Sequence, residues 1–134
     1  MTTRAFIEGL CWTFGTGQDD CISYGLKKGW LEYGDELYQD EPVLRKNEAR
    51  IFHMFLLKEL GINDLQDINI AGELRDLYDC RVCANHVAQV YLRGIMDAKD
   101  LAVKGGFLWF DLEGEDDEVL IKEHIRRLLE LADQ

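Results

Sequence analysis

Residues 42 to 61 hold the densest apolar run of the chain and its clearest helix signals, so any fold has to bury them. Ala49, Phe52, Leu56 and Leu60, joined by Ile51 and Phe55, recur at three- and four-residue spacing, which makes one broad helix face apolar. Pro42 stands where a helix can be entered but not continued through. Gly61 stands where a left-handed residue ends one, with Ile62 placed to fold back on Leu57. A buried core helix is the first expectation, and the rest of the chain must supply its cover.

The chain has 134 residues, the size of one domain with one core, so residues 1 to 134 are expected to form a single unit. A hydrophobic content of 47% with 31% charged residues describes a globular chain, and no apolar run is long enough to span a bilayer. Glu8 interrupts the apolar start, so a secretory signal is not visible and a cytoplasmic location is expected. The formal net charge of -11 disfavours direct binding to nucleic acid, because that affinity comes mainly from lysine and arginine. Acidity reads first as a solvated surface. Its sharper reading is an inhibitor that occupies the basic nucleic-acid groove of another protein.

Upstream of the core helix, Phe6, Leu10 and Phe14 share a face over residues 3 to 14, and Gly15-Thr16-Gly17 ends that short helix. Residues 18 to 28 predict a second, with Ile22 and Leu26 inward, acidic residues at its start and Lys27 and Lys28 at its end. Gly29 stops it, and a turn-rich connector over 30 to 40 follows. Downstream, 62 to 72 read as a linker. Leu74, Leu77, Cys80, Ala84, Val87 and Tyr91 then predict a helix, with Asp79 able to cap a break within it and Gly94 ending it. Residues 97 to 113, with Lys104-Gly105-Gly106 before Phe-Leu-Trp-Phe, predict a small hairpin against the helices. Asp116, Asp117 and Glu118 open a last helix striped by Ile121, Ile125 and Leu128.

Laying Gly29 on Gly94 matches Ile22 with Val87, Leu26 with Tyr91 and Trp30 with Ile95, so the chain reads as two copies of one helix-loop-helix unit that must pack together. Gly29-Trp30-Leu31, Tyr38, Pro42 and Leu44-Arg45-Lys46-Asn47-Glu48-Ala49 resemble the S-layer homology module, as do Gly94-Ile95-Met96 and the aromatics from Phe107 to Phe110. The resemblance covers about residues 17 to 61 and 79 to 131. It implies a mainly α fold of two such repeats packed as a small helical bundle, and a non-catalytic binding module for an anionic cell-wall polymer. Carried over by residue, it implies a binding site at Arg45, Lys46 and Glu48. Lys46 stands where the motif has arginine, and Gly17 and Val82 stand at its tryptophan positions. The partner can equally be a protein, and a homo-oligomer is left open.

Cys80-Arg-Val-Cys83-Ala-Asn-His86 offers ligand types that zinc prefers, and a zinc- or thiol-dependent regulator through Cys80 and Cys83 is a further alternative. A closed site needs four ligands, however, and only Cys11, Cys21, His53 or His124 could complete it. The cysteines are therefore expected as free thiols in the packing, with no metal and no cofactor. No nucleophile elbow, kinase signature or His-Glu-x-x-His pattern is present, so no catalytic residue is expected. Glu48 and His53 lie five apart on the core helix and point to different faces.

Overall fold

The computed structural model describes residues 1–100 and 107–134. The chain is mainly helical: α1 Thr3–Phe14, α2 Cys21–Lys28, α3 Tyr33–Leu37, α4 Arg45–Lys58, α5 Ala84–Leu92 and α6 Glu118–Ala132. The expected core helix is α4, and its Ala49, Ile51, Phe52, Phe55 and Leu56 are buried. Gly61 takes a left-handed φ of 66°, and the Ile62 amide returns to the Leu56 carbonyl. Around α4 the aromatic rings meet edge to face or tilted, Phe6 on Phe52 at 5.1 Å and Trp30 on Phe55 at 5.0 Å. Such contacts add dispersion and quadrupole attraction to simple burial. α5 packs on α4, and α1 packs on both α2 and α6.

The internal repeat is visible in the backbone. Gly29 and Gly94 both adopt left-handed φ, 89° and 75°, as the glycine stops predict. After each, two successive amides reach back to one carbonyl: Trp30 and Leu31 to Gly25, Ile95 and Met96 to Val90. All four of these apolar residues are buried. Helix entries repeat as well. The amides of Arg45 and Lys46 donate to the carbonyls of Gly114 and Leu112, and those of Thr3 and Arg4 donate in the same way to Glu41 and Gln39. The flanking extended residues form the bridges Leu44 to Glu115 and Thr2 to Pro42. α1 thus enters the bundle as α4 does, although its sequence carries no glycine-stop half that would mark it as part of the repeat.

Several expectations change. The connector over 30 to 40 contains α3, held by Glu32 and Asp35 capping one another's backbone. Leu37 and Tyr38 point outward instead of closing the core. The helix expected from Leu74 to Tyr91 is interrupted: Leu77–Asp79 is a short 3-10 turn, and α5 begins only at Ala84. Asp79 lies inside that turn and caps nothing, and Cys83 takes the capping position of α5. Within the interruption Asp76 is turned to the amides of residues 110 to 112, and Cys80 is bonded to Cys83, their Cα atoms 5.2 Å apart across a tight turn. Cys11 is likewise bonded to Cys21, tying α1 to α2. The free thiols expected from the sequence are therefore paired, and the mutually bonded Cys80 and Cys83 have no thiolate to offer a metal. Among the described residues the expected hairpin shows as an antiparallel pair, β1 Lys99–Asp100 with β2 Leu108–Trp109; Lys104-Gly105-Gly106 lies outside the described residues.

Gly25 offers a test of the glycine-stop packing. A Cβ there would stand 2.6 Å from Leu31 Cδ1 and 3.0 Å from the Trp30 ring. Gly25→Ala is expected to destabilise the fold by about 1 to 3 kcal/mol through overpacking, read as a lower urea midpoint at unchanged slope.

Candidate functional site

The first turn of α4 does not face solvent where the sequence places a binding site. Arg45 is 1% exposed and Glu48 is fully buried. The fork of Arg45 is filled from inside: Nε donates to the Phe110 carbonyl at 2.8 Å, one terminal nitrogen to Asp116 at 2.6 Å and the other to the Asp97 carbonyl at 2.6 Å. Its plane also lies over the Phe110 ring, 4.6 Å from the centroid. Neither Arg45 nor Glu48 can reach a polymer from this position. This corrects the assignment carried over by resemblance. Lys46 alone of the three remains partly exposed, and it pairs with Glu113 at 2.6 Å.

Glu48 belongs to a buried polar centre with Asp116 and His124. Its carboxylate meets His124 Nδ1, while Asp116 holds Arg45 on one oxygen and has Lys99 Nζ at 2.9 Å from the other. Burial raises the Glu48 carboxyl above the usual carboxylate range; the hydrogen bond from His124 offsets this only in part, and neighbouring Asp116 adds to it. Burial also pushes Asp116 upward, but the hydrogen bond from Lys99 and the charge of Arg45 outweigh it and hold Asp116 low. One acid is thus biased towards its neutral form and the other towards its charged form. These three groups lie close enough to enclose a cation. Arg45 and Lys99 already occupy that role, and a divalent ion would meet their repulsion. Sequence reading placed Asp116 merely at a helix start. It missed His124 because a histidine within an apolar stripe carries no partner information.

A second cluster joins α4 to α5. His53 Nδ1 and His86 Nδ1 are 2.7 Å apart, and His53 Nε2 is 2.6 Å from Asp64, which also accepts from Asn85. Asp64 can only accept while ionised, so His53 Nε2 carries a proton; with His53 neutral, its Nδ1 then accepts from His86 Nδ1–H. Glu48 is no partner of His53, in agreement with the sequence reading. His53 and Cys11 are each the ninth residue of their helix, and His86 and Cys21 each lie eight residues before a glycine stop. The two junctions therefore join equivalent positions, one by a covalent bond and one by a shared proton.

The third feature is an open groove of about 710 Å³ between α1 and the approach to α2. Arg4, Glu8, Trp12, Thr16, Gln18 and Gln39 line it, with the Cys11–Cys21 bond in its wall. Trp12 is 88% exposed, an unusual position for the largest apolar side chain. Arg4 is set in place by Gln39 at 3.0 Å and Asp40 at 2.9 Å. That ion pair corresponds to Lys46 with Glu113 at the other helix entry. Sequence reading missed this site because α1 was not recognised as a counterpart of α4. No protein-family model matches the chain, and no curated protein or solved structure is significantly similar to it.

Two outcomes are expected. Arg45→Ala leaves a buried carboxylate and two carbonyls short of donors, and should cost about 3 to 5 kcal/mol in denaturant unfolding. His86, whose pKa burial lowers to about 4 with help from His53 when that ring is charged and from Arg50, stays neutral in the fold while the unfolded chain gains a proton near 6.5. The unfolded state binds more protons between those values, so this contribution is complete above 6.5 and is lost as pH falls towards 4. His86→Gln should flatten the stability profile over that window, measured by denaturation at successive pH values.

Proposed function

We propose that the chain is a non-catalytic binding module that holds a cell-wall glycan polymer in the groove between α1 and α2. Exposed Trp12 beside the groove is the observation that carries this reading. A flat indole offers an apolar face to the C–H face of a sugar ring, while amide, carboxylate and guanidinium groups meet its hydroxyls and any acidic substituent. Gln18, Gln39, Glu8 and Arg4 supply those groups in the groove, which Asp19 and Asp20 also line. The resemblance to S-layer homology modules points to the same ligand class. It also places a basic residue at the helix entry, a position that Arg4 holds in α1 and Lys46 holds in α4.

The polar centre at Glu48, Asp116 and His124 supports a non-catalytic reading in its own way. Its groups are buried and engaged with one another, so they stabilise the junction of three segments and do not meet a substrate. No helix among the described residues is long and apolar enough to cross a membrane. Two disulfides favour an oxidising compartment over the cytoplasmic location expected from the sequence, since such bonds are rare where thiol buffers are reducing.

Co-sedimentation with purified cell-wall glycan tests the proposal. The chain should pellet with the polymer, and Trp12→Ala should weaken pelleting about tenfold, the loss of one stacked aromatic face, without changing the helical signal. Arg4→Ala should weaken it as well, while Lys46→Ala should leave it nearly unchanged. Absence of pelleting, or full retention by Trp12→Ala, would remove the groove from consideration.

A further inference from the structure

The two disulfides differ in setting. Cys11 and Cys21 tie two helices together, and although their bond lies in the wall of the groove beside Trp12, the residues themselves are only 4% and 9% exposed. Cys80 and Cys83 are half-buried, and Cys80 lines an open pocket of about 280 Å³ together with Asp76, Asp79 and Trp109. Cys83 is also the capping residue of α5, where no side chain caps the first turn. Amides at a helix N-terminus stabilise a thiolate, so Cys83 is the better leaving group of the pair.

The bond closes the exit of a short segment that carries an important grip. Asp76 precedes the 3-10 turn Leu77–Asp79, and Cys80 ends it. The buried Asp76 carboxylate accepts from three successive amides, Phe110 at 2.8 Å, Asp111 at 2.8 Å and Leu112 at 3.4 Å. These hold Asp111 at a left-handed φ of 69° and set the Phe110 carbonyl on Arg45. One turn with few hydrogen bonds of its own thus lies between the Cys80–Cys83 bond and the loop that completes the buried centre.

We propose that Cys80–Cys83 is a reducible site for a small dithiol or a dithiol protein, and that opening it loosens the hold of Asp76 on residues 110–112. In the first step a reductant thiolate attacks Cys80 Sγ; the Cys80–Cys83 bond breaks, a mixed disulfide forms and Cys83 leaves as thiolate, then takes a proton. In the second step the other reductant thiol, as thiolate, displaces Cys80 and closes a cyclic disulfide. Two electrons and two protons pass to the protein, and the dithiol is oxidised.

The test is a dithiothreitol titration of the native chain, with thiol alkylation read by mass spectrometry and amide hydrogen exchange measured in parallel. Cys80 and Cys83 should become alkylated at a dithiothreitol concentration about tenfold or more below that needed for Cys11 and Cys21. Over the same range, exchange at Phe110, Asp111 and Leu112 should accelerate about tenfold or more, while the amides of α1 stay protected. Cys80→Ser combined with Cys83→Ser should show the fast exchange without reductant. Opening of Cys11–Cys21 first or together would overturn the proposal, as would unchanged exchange at 110–112 once Cys80 and Cys83 are alkylated. If the double variant does not fold, the titration of the native chain decides alone, and failure of Cys80–Cys83 to open before global unfolding counts against the proposal.

Discussion

The buried guanidinium of Arg45 is the interaction on which the arrangement depends. An arginine cannot shed its charge inside a protein, so its surroundings must be built to receive it. Here two segments distant from Arg45 in sequence supply the acceptors: the stretch after α5 through the Asp97 carbonyl, and the stretch before α6 through the Phe110 carbonyl and the Asp116 carboxylate. Each acceptor must arrive for the others to be worth their desolvation. Such a centre contributes little net stability compared with an apolar core of the same volume, but it penalises every packing in which one partner is missing. It selects the register of the helices more than it strengthens their contact.

Around that centre the chain applies the same backbone solution more than once. A left-handed glycine ends a helix and turns two apolar residues inward; an extended residue bridges to a neighbouring loop and a helix starts from its amides. Side chains then diverge at equivalent places. Phe6 of α1 and Glu48 of α4 hold the same position in their helices, one apolar and one ionisable, and only the second is matched by His124. Repetition of the backbone left the side chains free to specialise, so one junction carries a groove and the other a buried polar network.

Much of this was legible in the residues. Periodicity located α1, α2, α4 and α6, and Gly15, Gly29, Gly61 and Gly94 read correctly as stops. Local signals failed where a cross-link or a distant partner took over. The apolar spacing from Leu74 to Tyr91 suits a continuous helix, yet the Cys80–Cys83 bond turns the chain before α5 can begin. Arg45 and Glu48 look like surface charges in any window of the sequence, because Asp116 and His124, which pair with them, are far along the chain. Trp12 lies off the stripe of Phe6, Leu10 and Phe14, so periodicity leaves it outside the core, but the groove beside it is made only when Gln18 and Gln39 fold back to α1.

The equivalence of Cys11–Cys21 with His53–His86 gives the molecule an unequal response to mechanical load. Tension that tries to part α1 from α2 is carried by a covalent cross-link, and separation there requires bond chemistry. Tension that tries to part α4 from α5 meets packed side chains and imidazoles sharing one proton, all of them non-covalent contacts. Forced apart, the first junction therefore keeps its two cysteines tethered, whereas the second parts completely once the packing of α4 on α5 gives way.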